Sequence, residues 1–265
     1  MAAGENLSQL INVVAKQHML TQMMSKESLL VALEVDKARN LHNLRSNQAF
    51  FDRVQQGLRY GDITLGVPGT RRPKILEKLD RVEELWPLFG NAVETSVSAG
   101  SVSAERLDTI AEVNLALLEA TEDTVRAYRE AAARGGLFSM IGIAIDQSGH
   151  QRTLTQKMSK EFLLIAYGHD VNKNRRHLQE TIQQFDQTLL GLINGDFELL
   201  LLPAPTPEIR GQLRKVQRIW DEFLPLLRTA VDKERIGPEV IAQVARDNMS
   251  LLLEMNAVVD LYAAL

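Results

Sequence analysis

The sequence predicts an all-α protein, built as a tandem duplication of one antiparallel four-helix unit, so that two helical bundles stand in a pseudo-two-fold relation. Three observations carry this prediction. The chain matches itself at a single offset of 134 residues, as from Gln17 to Gln151. Within each copy, apolar residues recur at three- and four-residue spacing, the period of an amphipathic helix. Alternating β-branched runs bounded by turns, which would mark strands, are absent from the sequence.

The offset holds from end to end. It pairs Leu20 with Leu154, Thr21 with Thr155, Gln22 with Gln156, and Met24-Ser25-Lys26-Glu27 with Met158-Ser159-Lys160-Glu161. Further on it pairs Phe51-Asp52 with Phe185-Asp186, Gly57-Leu58 with Gly191-Leu192, and Gly61-Asp62 with Gly195-Asp196. Trp86/Trp220, Phe89/Phe223, Asn114/Asn248 and Tyr128/Tyr262 close the series. Scattered matches at one offset mark a duplicated domain. The expected division is 1–134 and 135–265, with the join near Arg134, Gly135 and Gly136, where the fourth helix can lead straight into the fifth.

Each copy reads as four helices. The first is expected to start at a cap near Asn6 or Ser8 and to run past Leu33. The second spans about Lys37 to Tyr60 and stops at Gly61-Asp62, a helix-ending pair. A loop with Gly66, Pro68 and Gly69 leads to a third helix opening at Pro73, a favoured first-turn residue. Ile75, Leu79, Val82 and Phe89 give that helix its apolar stripe. Ser103 is the expected N-cap of the fourth, with Glu105 in its first turn and Ile110, Val113, Leu117, Val125 and Tyr128 facing inward.

Composition bounds the function. With 45% apolar and 24% charged residues the chain is globular, and a net charge of −4 gives no reason to expect nucleic acid or an anionic membrane as partner. There are no cysteines, so no disulfides or thiolate metal sites. The longest apolar run, Leu137 to Ile145, is about nine residues against the roughly 20 that span a bilayer. No signal peptide is read at the N-terminus. The five histidines form no HxxxH or ExxH pair, and no nucleophile elbow, P-loop or dinucleotide fingerprint occurs. The expectation is a non-enzymatic protein with no metal and no cofactor.

The repeated first helix is unusually polar. His18, Gln22 and Ser25 share one stripe, as do Arg152, Gln156 and Ser159, while Gln17 and Thr21, or Gln151 and Thr155, lie one step around. Arg152 stands where the first copy has His18. A guanidinium suits a planar oxyanion, to which it donates two parallel hydrogen bonds, and buried unpaired it would be costly. Bland readings stand beside this one. A Gln/Thr/Ser stripe is commonly a solvated face; Arg152 can pair with Glu119, Glu122 or Asp260; His18 can be a packing substitution. Lys26-Glu27 and Lys160-Glu161 are expected to point to water and neighbouring helices. Trp86, Trp220 and the methionines read as core, Asn114 and Asn248 as cross-helix hydrogen-bonders. Lys173, Arg175, Arg176 and His177 read as a basic surface patch.

The runs "VVAKQHMLTQMMSK" and "QSGHQRTLTQKMSK" resemble the PilJ-type sensor module of type IV pilus methyl-accepting chemotaxis transducers, and the related P-box helix of nitrate/nitrite sensor kinases. The resemblance covers nearly the whole chain, twice. It implies a helical bundle outside the cytoplasmic membrane that binds a small ligand and passes a helix shift to a signalling partner. In nitrate-binding members an Arg of this helix from each of two subunits grips the anion; that position falls on Arg152 and His18 here. The lead-in departs from the family's AGR, with Ala15-Lys16 and Gly149-His150. The expectation is a periplasmic sensor, monomeric with an internal pseudo-dimer. It would hold a small anion between the first helices of the two repeats on Arg152, His18, Gln17, Thr21, Gln22, Gln151, Thr155 and Gln156. The alternative is a degenerate sensor acting as a scaffold for a chemoreceptor, kinase or pilus component.

Overall fold

The computed structural model describes residues 2–133, 140–233 and 235–265. Eight helices account for nearly all of them: α1 Ala2–Ala32, α2 Lys37–Tyr60, α3 Pro73–Ala99, α4 Ala104–Ala133, α5 Met140–Tyr167, α6 Val171–Asn194, α7 Pro207–Asp232 and α8 Pro238–Ala263. Among the described residues no strand occurs, only two isolated bridges. The chain divides into two compact units, Met1–Phe138 and Ser139–Leu265. The join expected around Arg134, Gly135 and Gly136 lies outside the described residues.

In the first unit α1 packs against α2 and α4, and α3 against α2 and α4; in the second α5 packs against α6 and α8, and α7 against α6 and α8. The apolar spacing read in α3 faces inward as expected, with Ile75, Leu79, Val82 and Phe89 all buried. Ser103 Oγ accepts from the Arg106 amide at 3.4 Å, the expected cap of α4. Two boundaries differ. The first helix is already formed at Ala2, so Asn6 and Ser8 lie inside it, and it ends at Ala32, one residue before Leu33. Helical residues upstream of a good cap residue leave it no end to cap.

Three repeated sequence landmarks have local causes. The first is "GL..GD". Gly61 and Gly195 end α2 and α6 at φ 97° and 88°, where an L side chain is strained. Asp62 then pairs backbone to backbone with Val67 at 2.8 and 2.9 Å, and its Oδ1 accepts from the Thr64 and Leu65 amides. Arg53 donates to the same carboxylate, and together these hold Asp62 down to about 2. Asp196 repeats the pairing with Leu201 and accepts from the Leu199 amide at 3.0 Å. Gly57 and Gly191 sit under this turn: a Cβ there would meet the Cβ of Asp62 at 3.1 Å and of Asp196 at 3.0 Å.

The second landmark is "FD…W". The Trp86 indole donates to Asp52 at 2.7 Å and stacks on Phe51 at 4.0 Å; Trp220 donates to Asp186 at 2.9 Å against Phe185 at 4.5 Å. Trp220 is a buried core anchor, whereas Trp86 is only half-buried, its ring lying over Gly90 where the second copy has Leu224. The third is the α1–α2 corner. Asp36 and Asp170 take left-handed conformations at φ 44° and 42°, and the following Asn40 and Asn174 amides satisfy the Val35 and His169 carbonyls at 2.8 and 2.9 Å.

The glycine contacts give a test. Gly191→Val should destabilise by roughly 1–3 kcal/mol through overpacking against Asp196 and Leu201. Gly211→Ala, in open space on α7, should stabilise by about 0.5–1 kcal/mol. Urea unfolding of both variants reads the pair; equal effects would contradict the packing.

Candidate functional site

The repeated polar segment is buried rather than solvated. Residues 20–31 of α1 are buried without interruption, and from 151 to 165 of α5 only Lys157 is even partly exposed. This overturns the solvated-face reading, and with it the expectation that Lys26-Glu27 and Lys160-Glu161 point to water. Desolvating so many polar groups is tolerable only where each finds a partner.

Much of the stripe is tied into its own unit, in the same way twice. Gln17 donates to the Phe51 carbonyl at 3.1 Å and Gln151 to the Phe185 carbonyl at 2.8 Å, fastening α1 to α2 and α5 to α6. Asn114 donates to the Thr21 carbonyl at 3.1 Å and to Ser25 at 2.8 Å; Asn248 donates to the Thr155 carbonyl at 2.7 Å. Each asparagine therefore fastens the last helix of its unit to the first, the cross-helix role read for it. Thr21 and Thr155 bond back to the His18 and Gln151 carbonyls of their own helices. Gln22 donates to the Thr21 hydroxyl at 3.0 Å. Tyr128 donates to the Leu58 carbonyl, and burial pushes the phenols of Tyr128 and Tyr262 up to about 12.

Lys26 and Glu27 are compensated within the first unit. Burial pushes Glu27 up to about 7, opposed by Lys26 and by the amides of Asn47 and Asn43. Asn47 donates to both its oxygens, at 3.0 and 2.9 Å. Burial also pushes Lys26 down to about 8, with Glu27 opposing and Arg39 adding to the shift. The second unit solves the same problem with a cation: Lys157 reaches Glu161 at 2.6 Å and Thr181 at 2.6 Å. Lys160 is again pushed down to about 8 by burial. Of the basic patch, Lys173 and Arg176 are exposed, but Arg175 caps α7 through the Ala230 and Lys233 carbonyls.

Arg152 stands apart. It is 3% exposed, and two of its hydrogen bonds are long: Nε to the Gly149 carbonyl at 3.5 Å and Nη1 to Asn256 Oδ1 at 3.4 Å. Burial pushes its guanidinium down to about 10, while Asp260 supports the charge, so it is cationic at neutral pH. Of the three carboxylates weighed as partners, Asp260 is the one whose field reaches it. His18, at the matching place in α1, is equally buried. Of the remaining candidates, Gln151 and Thr155 turn to α6 and to their own helix, and Gln156 is buried on the Arg152 stripe. Asn256 is the residue sequence reasoning missed; it lies one turn before Asp260 on α8, and only that helical spacing hinted at it. Among the described residues no group of three or more His, Asp or Glu is arranged to hold a metal ion, and no helix is long and apolar enough to cross a membrane.

A family profile described as "Type IV pili methyl-accepting chemotaxis transducer N-term", PilJ, matches residues 1–114 and 142–246. The chain belongs to the PilJ family. Both units carry the match, and with it the polar helix just described. Among relatives, the methyl-accepting chemotaxis protein McpN of Pseudomonas aeruginosa is 30% identical over 121 residues, 45% of this PilJ chain. The match takes in 22% of that relative's own length. Among solved structures, the ligand-binding domain of the P. aeruginosa nitrate receptor McpN is 29% identical, with 46% of this chain covering 94% of that one at a TM-score of 0.40.

The buried carboxylate yields a pH test. Glu27 has its folded pKa above the usual 4.5, so its contribution to stability is full below about 4.5 and is lost as pH rises through about 7. Glu27→Gln cannot ionise. Its stability relative to the parent should therefore rise between pH 5 and pH 8, on the order of 1–3 kcal/mol, in paired thermal melts. A difference that stays flat with pH would contradict the buried charge.

Proposed function

We propose that this PilJ chain is a ligand-sensing module that binds a small planar oxyanion, nitrate, nitrite or a small carboxylate, on the α5 stripe around Arg152. The observation that carries the reading is a cationic guanidinium almost wholly removed from water and held by two long, neutral hydrogen bonds. A desolvated guanidinium in that state gains from a bidentate anion, because charge-assisted hydrogen bonds are shorter and stronger than the ones it has. Gln156, buried on the same stripe, is placed to orient the anion, and His18 is the corresponding group of the first unit. Nitrate recognition by a related receptor's ligand-binding domain supports the choice of probe.

A module of this kind works without covalent chemistry. Binding energy is spent on a difference between two helix arrangements, which a signalling protein then reads. We place it outside the cytoplasmic membrane, as the sensor modules of this family stand, with a chemoreceptor or kinase as partner.

The test is calorimetry and thermal shift with nitrate, nitrite, acetate and pyruvate. The melting temperature should climb with ligand concentration, by the equivalent of about 2.7 kcal/mol at a hundredfold excess over Kd. Arg152→Ala should abolish both the shift and the heat, while Arg152→Lys retains the charge but loses the two parallel bonds and binds weakly. Absence of heat and of any concentration-dependent shift with all four anions overturns the reading in favour of an interaction scaffold.

A further inference from the structure

The last helix of the second unit presents Asn256 and Asp260 one turn apart, hence on one face. That face is the one Arg152 meets, since its Nη1 donates to Asn256 Oδ1 at 3.4 Å. Lower on the same helix, Asn248 is locked to the Thr155 carbonyl at 2.7 Å. The α8 edge is therefore fixed against α5 two turns below Asn256, and the Asn256–Asp260 turn is held at a set distance from the guanidinium.

The duplication supplies a control. At the 134-residue offset, Arg152, Asn256 and Asp260 correspond to His18, Glu122 and Arg126. The asparagine tie below is unchanged, as Asn114 donates to the Thr21 carbonyl. The scaffold is thus kept while the three polar positions carry a different charge order: cation, neutral amide, anion in the second unit; imidazole, carboxylate, cation in the first. Glu122 is half-buried, and Arg126 faces solvent and pairs with Asp123 at 3.2 Å. A carboxylate at the Asn256 position would repel an anion presented to residue 18.

We infer that Asn256 and Asp260 are the specificity-determining residues of the Arg152 site, selecting a singly charged anion and confining anion binding to the second unit. The inference rests on the oxyanion reading above. Asp260 offsets part of the guanidinium charge, so the constellation has about one positive charge to satisfy less the field of a nearby carboxylate. A monovalent anion leaves it near neutral. A divalent anion such as sulfate adds an uncompensated negative charge in a desolvated place and meets Asp260 as a like charge. Asn256, uncharged, gives up its weak hydrogen bond to an incoming anion without leaving a buried charge behind.

Binding of nitrate and of sulfate to the parent, Asp260→Asn, Asp260→Glu and Asn256→Glu is measured by calorimetry at fixed ionic strength. One nitrate per chain is expected for the parent, with no sulfate heat. Asp260→Asn should tighten nitrate roughly threefold to tenfold and admit sulfate. Asp260→Glu should restore the discrimination, and Asn256→Glu, which copies the first unit, should abolish nitrate binding. Asp260 is exposed, so its variants keep the fold, which their melting temperatures verify. If the parent binds nitrate but Asp260→Asn changes neither its affinity nor the exclusion of sulfate, the selector role is overturned and the oxyanion reading stands. Two nitrates per chain overturn the confinement to the second unit. No binding of nitrate by the parent, and none of the other small anions, sinks the oxyanion reading itself.

Discussion

Desolvation of a polar helix is the constraint on which the rest of each unit depends. The middle of α1 and of α5 carries glutamine, threonine, serine, lysine and glutamate in positions that see almost no water. A bundle normally hides an apolar stripe and leaves the polar face outside. Here the polar residues are inside, and each would cost several kcal/mol if buried without a partner. The surrounding helices are arranged to supply those partners. Gln17 and Gln151 reach backbone carbonyls of the second helix, and Asn114 and Asn248 return the favour from the last helix. What looks like a functional motif in the sequence is therefore largely the wiring that lets the helix be central.

This wiring explains which parts of the fold were legible. The eight helices, the opening of α3 at Pro73 and the stop of α2 at Gly61 follow from local rules, since a first-turn proline and a left-handed glycine act on their own backbone. The repeat was legible because every landmark in it serves such a local need: the Asp62 and Asp196 turns, the Trp86–Asp52 and Trp220–Asp186 pairs, the Asn40 and Asn174 corners. Burial of Lys26, Glu27, Lys160 and Glu161 was not legible. Period tells which residues share a face, but when a helix is covered nearly all round, no face is left to be the wet one. Asn256 was hidden for another reason: it lies 104 residues from Arg152, and only packing of α8 on α5 brings them together.

The two copies also show that one buried charge can be handled in different ways. Glu27 is held by the Asn47 amide and stands next to Lys26; Glu161 is held by Lys157, at the position where the first copy has Met23. A neutral amide leaves the carboxylate able to take a proton near neutrality, which is where burial has pushed Glu27. An ammonium at 2.6 Å favours the charged form instead. The same glutamate is thus a protonatable group in one unit and one half of an ion pair in the other, with the helix around it unchanged.

Divergence after duplication is confined by the same logic. A side chain that satisfies a buried carbonyl in its own unit cannot be exchanged without leaving that carbonyl orphaned, and the glutamines and asparagines that do so are identical in both copies. Residue 18 and its counterpart 152 are under no such obligation: the neighbouring glutamine and asparagine already fasten the helix. His18 and Arg152 were therefore able to differ while the fold stayed the same, and so were Glu122 and Asn256, Arg126 and Asp260. Chemistry accumulates at the positions the architecture leaves unemployed. In this chain those positions cluster where the first helix of a unit meets the last, and Arg152 with Asn256 is where a polar contact of that kind has weak, replaceable hydrogen bonds rather than fixed ones.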